Sequence, residues 1–188
     1  MRIIRAADHR SMPWKNGGGT TTEIAVSPPG ASMEDFDWRV SMAHVAGDGP
    51  FSSFPEIDRT LSILTGEGLD LVFADGETVR LTLSSAPYPF AADRAVSGRL
   101  VAGPIEDLNV MSRRSPWQHQ VWRFAGGMIA APAPEEVVML LVTGDGWSLQ
   151  SAAGTVTLDR HDAALLDDAG RLAAGDGEAF VIRIGRAG

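Results

Sequence analysis

The chain has 188 residues, of which 44% are hydrophobic and 21% are charged, so it can bury the core of one large domain or two small ones and is not mainly disordered. Sixteen basic residues against 24 acidic residues give a net charge of −8, which opposes binding to nucleic acid or to an anionic membrane surface. Cysteine is absent, which excludes disulfides, thiolate nucleophiles and cysteine-ligated metals. No apolar run reaches the length of a membrane helix and no signal-type segment opens the chain, so we expect a cytoplasmic protein.

The apolar pattern is that of β-strands. In residues 38–43 (WRVSMA), Trp38 and Val40 face one side while Arg39 and Ser41 face the other. One short helix is expected, near residues 33–36 or 135–137. Frequent turns rich in Gly, Pro, Asp and Ser favour an all-β sandwich or barrel. The predicted strands lie at residues 22–26, 38–43, 61–64, 69–73, 78–83, 107–112, 121–124, 137–142, 147–150, 155–158, 164–166 and 179–184.

An internal repeat indicates two related halves. Residues 65–71 (TGEGLDL) are matched by residues 143–149 (TGDGWSL), 78 positions later, and a Gly turn followed by a further strand comes after each copy. We therefore expect two barrel-like units, joined near residues 116–134.

A rare pair of polar residues lies in the segment PWKNGGGT at residues 13–20. Lys15 is the only lysine in a chain with 15 arginines, and Asn16 is one of two asparagines. A pair that persists against this composition indicates a function. The alternative is chance together with a tight turn that needs Asn and Gly for positive φ. The glycine run does not match a phosphate-binding loop, and its glycines would instead let the backbone pass close either to a ligand or to another strand.

Five segments, taken together and in chain order, resemble the HutD/Ves family. The resemblance implies a bicupin, with two cupin-like β-barrels of the RmlC-like jelly-roll type in one bacterial chain. The first barrel would span residues 1–118 and the smaller second barrel residues 119–188. It also implies an association with histidine utilisation, without an established enzymatic activity. Glu56 departs from the family, which has glycine at this position. The matching segments are PWKNGGG at 13–19, WRVSMA at 38–43, GPFSSFP at 49–55, DR at 58–59 and DLNVMSRR at 107–114.

The metal-binding pattern of cupins, G-x5-H-x-H-x3-E-x6-G, can be laid on residues 47–66 without a gap. Its ligand positions then hold Ser53, Pro55 and Arg59, which cannot bind a cation as a set. A guanidinium in place of a carboxylate favours an anion instead. The histidines show no metal-binding spacing, so we expect no metal and no other cofactor. These histidines are His9, His44, His119 and His161.

The candidate ligand-binding residues combine cations, amides and an aromatic wall, as a small planar acid requires. Asp58 either orients a neighbouring arginine by an ion pair or contacts the ligand. Asn109, Met111 and Arg113 share one face of their strand. The predicted set is Lys15, Arg59 and Arg113 for charge, Asn16 and Asn109 for hydrogen bonds, Trp14 and Phe54 for the aromatic wall, and Ser52 and Met111 as further ligand-binding residues.

Three functions are compatible with these residues. The first, which we favour, is binding of a small anionic metabolite such as urocanate, by which the protein moderates histidine utilisation without catalysis. The second is a metal-independent isomerase, in which Lys15 or a histidine transfers a proton and Arg59 holds the substrate carboxylate. In the third, the barrels serve only assembly. The second unit is expected to be structural, a homodimer is compatible with the sequence, and no protein partner is indicated.

Overall fold

The computed structural model describes residues 1–14 and 17–187. These residues form 19 β-strands and one 3₁₀ turn, Ala6–Asp8, with no α-helix among them. The all-β prediction is confirmed. Within the described part of the chain, no helix is long and apolar enough to cross a membrane.

The strands are short and follow one another closely. In the first part of the chain they are β1 Arg2–Ile4, β2 Arg10–Pro13, β3 Gly19–Ser27, β4 Trp38–Val45, β5 Gly49–Pro50, β6 Ile57–Thr65, β7 Leu69–Phe73, β8 Thr78–Leu81, β9 Tyr88–Ala91, β10 Val96–Leu100 and β11 Ile105–Arg113. The remaining strands are β12 Trp117–Phe124, β13 Gly127–Ile129, β14 Val137–Val142, β15 Trp147–Ser151, β16 Gly154–Leu158, β17 Ala163–Leu166, β18 Gly170–Ala173 and β19 Ala179–Arg186.

The predicted short helix is wrong at both positions. Residues 33–35 and 134–135 are turns. In the first turn, the Asp35 Oδ1 atom accepts hydrogen bonds from the backbone N of Ser32 at 2.5 Å and from its Oγ at 2.7 Å. Such local side-chain bonds to the backbone compete with helical hydrogen bonds. In the second turn, Glu135 has a φ of 61°, outside the helical region.

The first of two compact units comprises residues 10–117. It contains a six-stranded sheet in the order β2-β3-β4-β11-β6-β9 and a four-stranded sheet in the order β5-β10-β7-β8. Leu61 and Ile63 from the first sheet pack with Leu69, Leu71 and other apolar residues of the second. The core of this unit therefore lies between its two sheets.

The second unit comprises residues 1–9 and 118–188. Its sheets have the orders β1-β17-β14-β19-β12 and β13-β18-β15-β16, and Leu140 and Trp147 belong to its apolar core. Residues 1–9 lie in this unit because β1 pairs with β17 in an antiparallel register.

The internal repeat is visible in the topology. The order β4-β11-β6-β9 of the first unit recurs as β12-β19-β14-β17 in the second, and β5-β10-β7-β8 recurs as β13-β18-β15-β16. The two repeated segments connect corresponding strands, β6 to β7 and β14 to β15. In the described pairings all four sheets are open, and none closes on itself.

Glu56 has an unfavourable backbone conformation just before β6. Its φ is 61°, in the left-handed region where a side chain costs about 1–2 kcal/mol. Its carbonyl accepts a hydrogen bond from Arg114 N at 2.6 Å, and its N–H donates to Asp93 at 3.3 Å. These contacts hold the turn in a conformation that favours glycine, the residue expected here from the family pattern.

We predict that Glu56→Gly stabilises the protein by about 0.5–1 kcal/mol, because relief of the left-handed strain exceeds the added entropy of the unfolded chain. Urea denaturation measures the change. Glu67→Gly is the control, since Glu67 is an exposed turn residue that is not among those with positive φ, and we expect it to be neutral or destabilising. Equal effects of the two substitutions would contradict the explanation.

Candidate functional site

The interior face of the first unit carries a group of buried polar side chains. Because side chains alternate along a strand, the odd-numbered residues of β4, β6 and β11 point to this face. Arg39, Arg59, Asp107 and Asn109 lie there, each with an exposed fraction of 8% or less. Buried charged and amide groups are rare unless they serve structure or function.

Antiparallel pairing arranges these residues in layers across β4, β11 and β6. One layer contains Arg39, Met111 and Arg59, so the methionine lies between the two arginines. The next layer contains Ser41, Asn109 and Leu61, and a third contains Ala43, Asp107 and Ile63. The register therefore brings both guanidinium groups and the Asp107 carboxyl into one interior.

Arg59 is surrounded by aromatic rings. Its Cζ atom lies 5.3 Å from the ring centre of Phe51, 5.4 Å from that of Phe54 and 5.9 Å from that of Phe90. The Nη2 atom approaches Met111 Sδ at 3.7 Å, and the buried Nε has no hydrogen-bond partner. Burial lowers the pKa of Arg59 to about 10, so the guanidinium remains charged at neutral pH.

Arg39 is a second buried cation that the candidate set from the sequence lacks. Its Nε donates to Glu23 Oε2 at 2.8 Å, while its buried Nη2 has no partner. The register of β3 against β4 shifts between Glu23 and Ala25. The sequence did contain an indication of this role, because the alternation in residues 38–43 places Arg39 on the strand face opposite Trp38.

Asp107 lies two residues before Asn109 on the same strand face. Its Oδ1 accepts a hydrogen bond from Asn109 Nδ2 at 2.5 Å. Burial raises the pKa of the Asp107 carboxyl to about 7, although the Arg59 guanidinium opposes this shift. A carboxyl near Arg59 is therefore close to half-protonated at neutral pH.

The structure brings together some of the predicted site residues. Arg59, Asn109 and Met111 lie in adjacent layers, and Phe54 lies against Arg59. Trp14 packs against the core of the first unit, and its Nε1 donates to Thr21 Oγ1 at 2.8 Å.

Two other predicted residues lie outside these layers. Arg113 donates to the backbone carbonyls of Glu34 and Phe36, both at 3.2 Å, and Ser52 is exposed. Lys15 and Asn16 lie outside the described residues.

Two neighbouring features have structural explanations. Asp58 lies next to Arg59 in sequence but forms an ion pair with Arg114 at 3.0 Å. A Cβ atom at Gly19 would lie 2.3 Å from the carbonyl oxygen of His44 and 3.0 Å from the Trp14 ring. Gly19 is therefore required for a close approach to the neighbouring strand, which was one of the two alternatives for the glycine segment.

The interior does not suit a metal ion. Of the three positions where the cupin pattern would have ligands, Ser53 and Pro55 are exposed and Arg59 is a buried cation. Arg39 adds a second positive charge nearby. Within residues 1–14 and 17–187, no three His, Asp or Glu side chains cluster as metal ligands do. A donor set with two guanidinium groups repels cations and attracts anions.

The second unit has a different interior. In its corresponding strand pair, β14 and β19, Leu140 lies opposite Val181 and Val142 opposite Ala179. These are apolar residues where the first unit has Asn109 and Asp107. This unit also has a groove of about 330 Å³ next to Gln118, Glu136 and Arg183.

The charged groups of this groove are already paired. Arg183 Nη1 contacts Glu136 Oε2 at 2.6 Å, and Arg183 Nη2 donates to the Ala130 carbonyl at 2.7 Å. The interior of the first unit is therefore the better candidate for an anion site.

Comparisons with known proteins agree with this architecture. The model of the HutD family matches residues 6–181. An uncharacterized 21.2 kDa protein in the hutC 3′ region of Pseudomonas putida is 34% identical over 67% of this chain, and the match spans 65% of that protein. Protein Ves of Citrobacter koseri is 36% identical over 76% of this chain and 74% of its own length.

Solved structures show the same fold. HutD from Pseudomonas fluorescens SBW25 superposes with a TM-score of 0.81 at 29% identity, covering 100% of this chain and 99% of that one. A cupin 2 conserved barrel domain protein from Leptotrichia buccalis gives a TM-score of 0.59 at 10% identity, covering 90% of this chain and 89% of that one. The second likeness concerns the fold alone, which is cupin-like.

We predict that Asp107→Asn changes the pH dependence of stability. Between the unfolded pKa near 3.8 and the folded pKa of about 7, the folded protein binds one more proton than the unfolded chain, so the free energy of unfolding falls as the pH rises. Asparagine does not titrate and retains the oxygen that accepts from Asn109. Between pH 5 and 8 the free energy of unfolding of this variant should fall less steeply with pH than that of the wild type. At pH 8 the variant is expected to be more stable than the wild type by about a few kcal/mol.

Urea denaturation at several pH values measures this slope. Asp93→Asn is the control, because Arg114 lowers the pKa of the Asp93 carboxyl and this group titrates below the window. An Asp107→Asn variant with the wild-type slope would show that Asp107 is ionised throughout.

Proposed function

The chain belongs to the HutD family, and on that basis we propose that its first unit is a cupin-like barrel that binds a small carboxylate anion without a metal. The observation that supports this proposal is the pair of buried guanidinium groups on either side of Met111. Each has a buried N–H without a partner, at Arg39 Nη2 and Arg59 Nε. Unpaired donors of this kind are costly, and a carboxylate is a strong acceptor for a guanidinium N–H.

The electrostatics of the interior support the same proposal. Arg39 is neutralised by Glu23 at 2.8 Å, but Arg59 has no ion-pair partner within 4 Å among the described side chains. The positive charge of Arg39 also lowers the pKa of Arg59, which reflects repulsion between the two groups. A bound anion would reduce this repulsion and compensate the charge of Arg59.

Urocanate, or a related intermediate of histidine degradation, is the first ligand to test. It is planar and carries one carboxylate, which suits a cation between the rings of Phe51, Phe54 and Phe90. Asn109 would supply a polar contact for its ring. The pathway is suggested by the names of the relatives, one of which lies in a hutC 3′ region.

The family context extends the proposal to regulation. We take the protein to moderate histidine utilisation in the bacterial cytoplasm, either by sequestering the metabolite or by a ligand-dependent contact with a partner, which includes a second copy of the chain. Both units are then cupin-like barrels, and the second is structural because its interior is apolar. No nucleic acid or membrane takes part, in accordance with the net charge of −8.

We predict that Arg59→Met weakens carboxylate binding at least about thirtyfold, since loss of a buried charged contact typically costs more than 2 kcal/mol. Thermal shift and calorimetric titration with urocanate, histidine, formiminoglutamate and formylglutamate measure the effect. Methionine fits among the three rings and removes a buried charge, so the variant should fold.

The control for this experiment is Arg80→Met. Arg80 is an exposed arginine that binds Asp70 at 2.7 Å, outside the interior, and its substitution should leave binding at the wild-type level. An acid that binds Arg59→Met as tightly as wild type would place the binding site elsewhere.

A second function, a metal-independent isomerase acting on a small carboxylate, is favoured by one observation. Asp107 is a buried carboxyl with a pKa of about 7 in the same interior as Arg59, as a group that transfers protons requires. In this mechanism Lys15 or a histidine would also exchange a proton with the substrate, and Arg59 would hold its carboxylate.

Turnover decides between the two functions. We expect purified protein to bind one of the four acids without converting it, as followed by NMR of the ligand over hours. Conversion that is lost in Lys15→Ala would establish the isomerase instead.

A further inference from the structure

We propose that the first unit takes up its anion together with a proton, and that Asp107 is the group that binds this proton. The inference rests on the proposed function, because it concerns the same interior. Binding then brings one anion and one proton into the protein, so the net charge of the interior does not change.

The position of Asp107 allows it to take this role. Its side chain is buried, one layer beyond Asn109 and two layers beyond Arg59. Asn109 Nδ2 donates to its Oδ1 at 2.5 Å, and the backbone of Ala43 on β4 forms a further hydrogen bond with it. On the β6 side its neighbour is the apolar Ile63. Water therefore has little access to stabilise the negative charge of this carboxylate.

Two charged groups act on Asp107 directly, and a further ion pair acts on one of them. Arg59 on β6 favours its ionised form, and Glu106 on β11 opposes it. Arg39 on β4 acts on Arg59 and is itself paired with Glu23 on β3. The net charge of the interior of the first unit therefore depends on whether Asp107 is protonated.

Counting these interior charges shows why a proton should accompany the anion. Glu106 is an even-numbered residue of β11 and lies on the other face of that strand. On the interior face Arg39 and Glu23 cancel, so an ionised Asp107 and a charged Arg59 make the interior neutral. An arriving carboxylate would then leave one uncompensated negative charge in a buried site, which costs several kcal/mol. Protonation of Asp107 restores neutrality, and at neutral pH it costs little because the pKa of this carboxyl is already about 7.

Linkage gives the expected pH dependence. If the anion binds only when Asp107 is protonated, the affinity falls about tenfold for each pH unit above the pKa of Asp107 in the free protein. From pH 7 to pH 9 the affinity should therefore fall about fiftyfold. The Arg59 guanidinium, with a pKa of about 10, stays mostly charged in this range.

Calorimetry of the full chain with urocanate tests the proposal. Titrations at pH 7.5 in triethanolamine and in Tris, two cationic buffers whose ionisation enthalpies differ, give the number of protons taken up, and titrations from pH 7 to pH 9 give the affinity. We expect wild type to take up between half and one proton and to lose about fiftyfold in affinity over this range. Asp107→Asn should take up none and should bind with the same affinity at pH 7 and pH 9.

The control variant is Asp93→Asn, which should retain the proton uptake and the pH slope of the wild type. The wild-type measurement needs no variant, so a poorly folded Asp107→Asn does not prevent the test.

Tight binding by wild type without proton uptake, or an Asp107→Asn variant that retains the wild-type uptake, would overturn this proposal and leave the proposed function intact. Absence of urocanate binding across pH 6 to 9, while another of the four acids binds with the same linkage, would support the proton uptake and change only the ligand. Absence of binding by all four acids would overturn both.

Discussion

The first unit has to accommodate two guanidinium groups in one layer of one sheet. The register of β4, β11 and β6 places Arg39 and Arg59 on either side of Met111, where two like charges repel one another with little water to screen them. The surrounding structure meets this constraint differently on the two sides. Glu23 neutralises Arg39 directly, whereas Arg59 is enclosed by three phenylalanine rings.

The two halves of the internal repeat differ in the polarity of their interiors. Both units have the same strand order in their corresponding sheets, but the interior of the second contains Leu140, Val181 and Trp147. An apolar interior contributes stability in proportion to the area it buries. Buried charges contribute little or nothing to stability unless they are paired. The polar interior of the first unit is therefore better explained by ligand recognition than by folding.

The central strands could be predicted from the sequence because their alternation is strong and their apolar side chains are buried. β7 and β14 have the predicted boundaries, residues 69–73 and 137–142. The strands that were missed are short or lie at the edges of sheets, such as β1, β5 and β13. Their pairing depends on distant partners, as in β1 with β17, and local pattern carries no information on such partners.

The candidate site was predictable only in part, for a related reason. Arg59 and Asn109 belong to motifs and could be found in the sequence. The role of Arg39 depends on the register between β4 and β11 and on Glu23 from a third strand. Likewise, alternation put Arg113 on the face of Asn109, but its guanidinium binds the carbonyls of Glu34 and Phe36 at the end of the strand. Side-chain direction near a strand end is set by the local loop, which alternation does not describe.

In the proposed function, the phenylalanine rings determine which ligands can compete for Arg59. A desolvated cation–π contact contributes about 2 kcal/mol, whereas N–H bonds from a guanidinium to a carboxylate are roughly twice as strong as bonds between neutral groups. A carboxylate therefore gains free energy when it replaces part of the ring contact, because it also compensates a buried charge. A neutral ligand forms no such charge-assisted bond with the guanidinium and gains much less. Since Phe51 and Phe54 flank the guanidinium, a planar acid could also retain contact with a ring, so the proposed site would select first for negative charge and then for a flat shape.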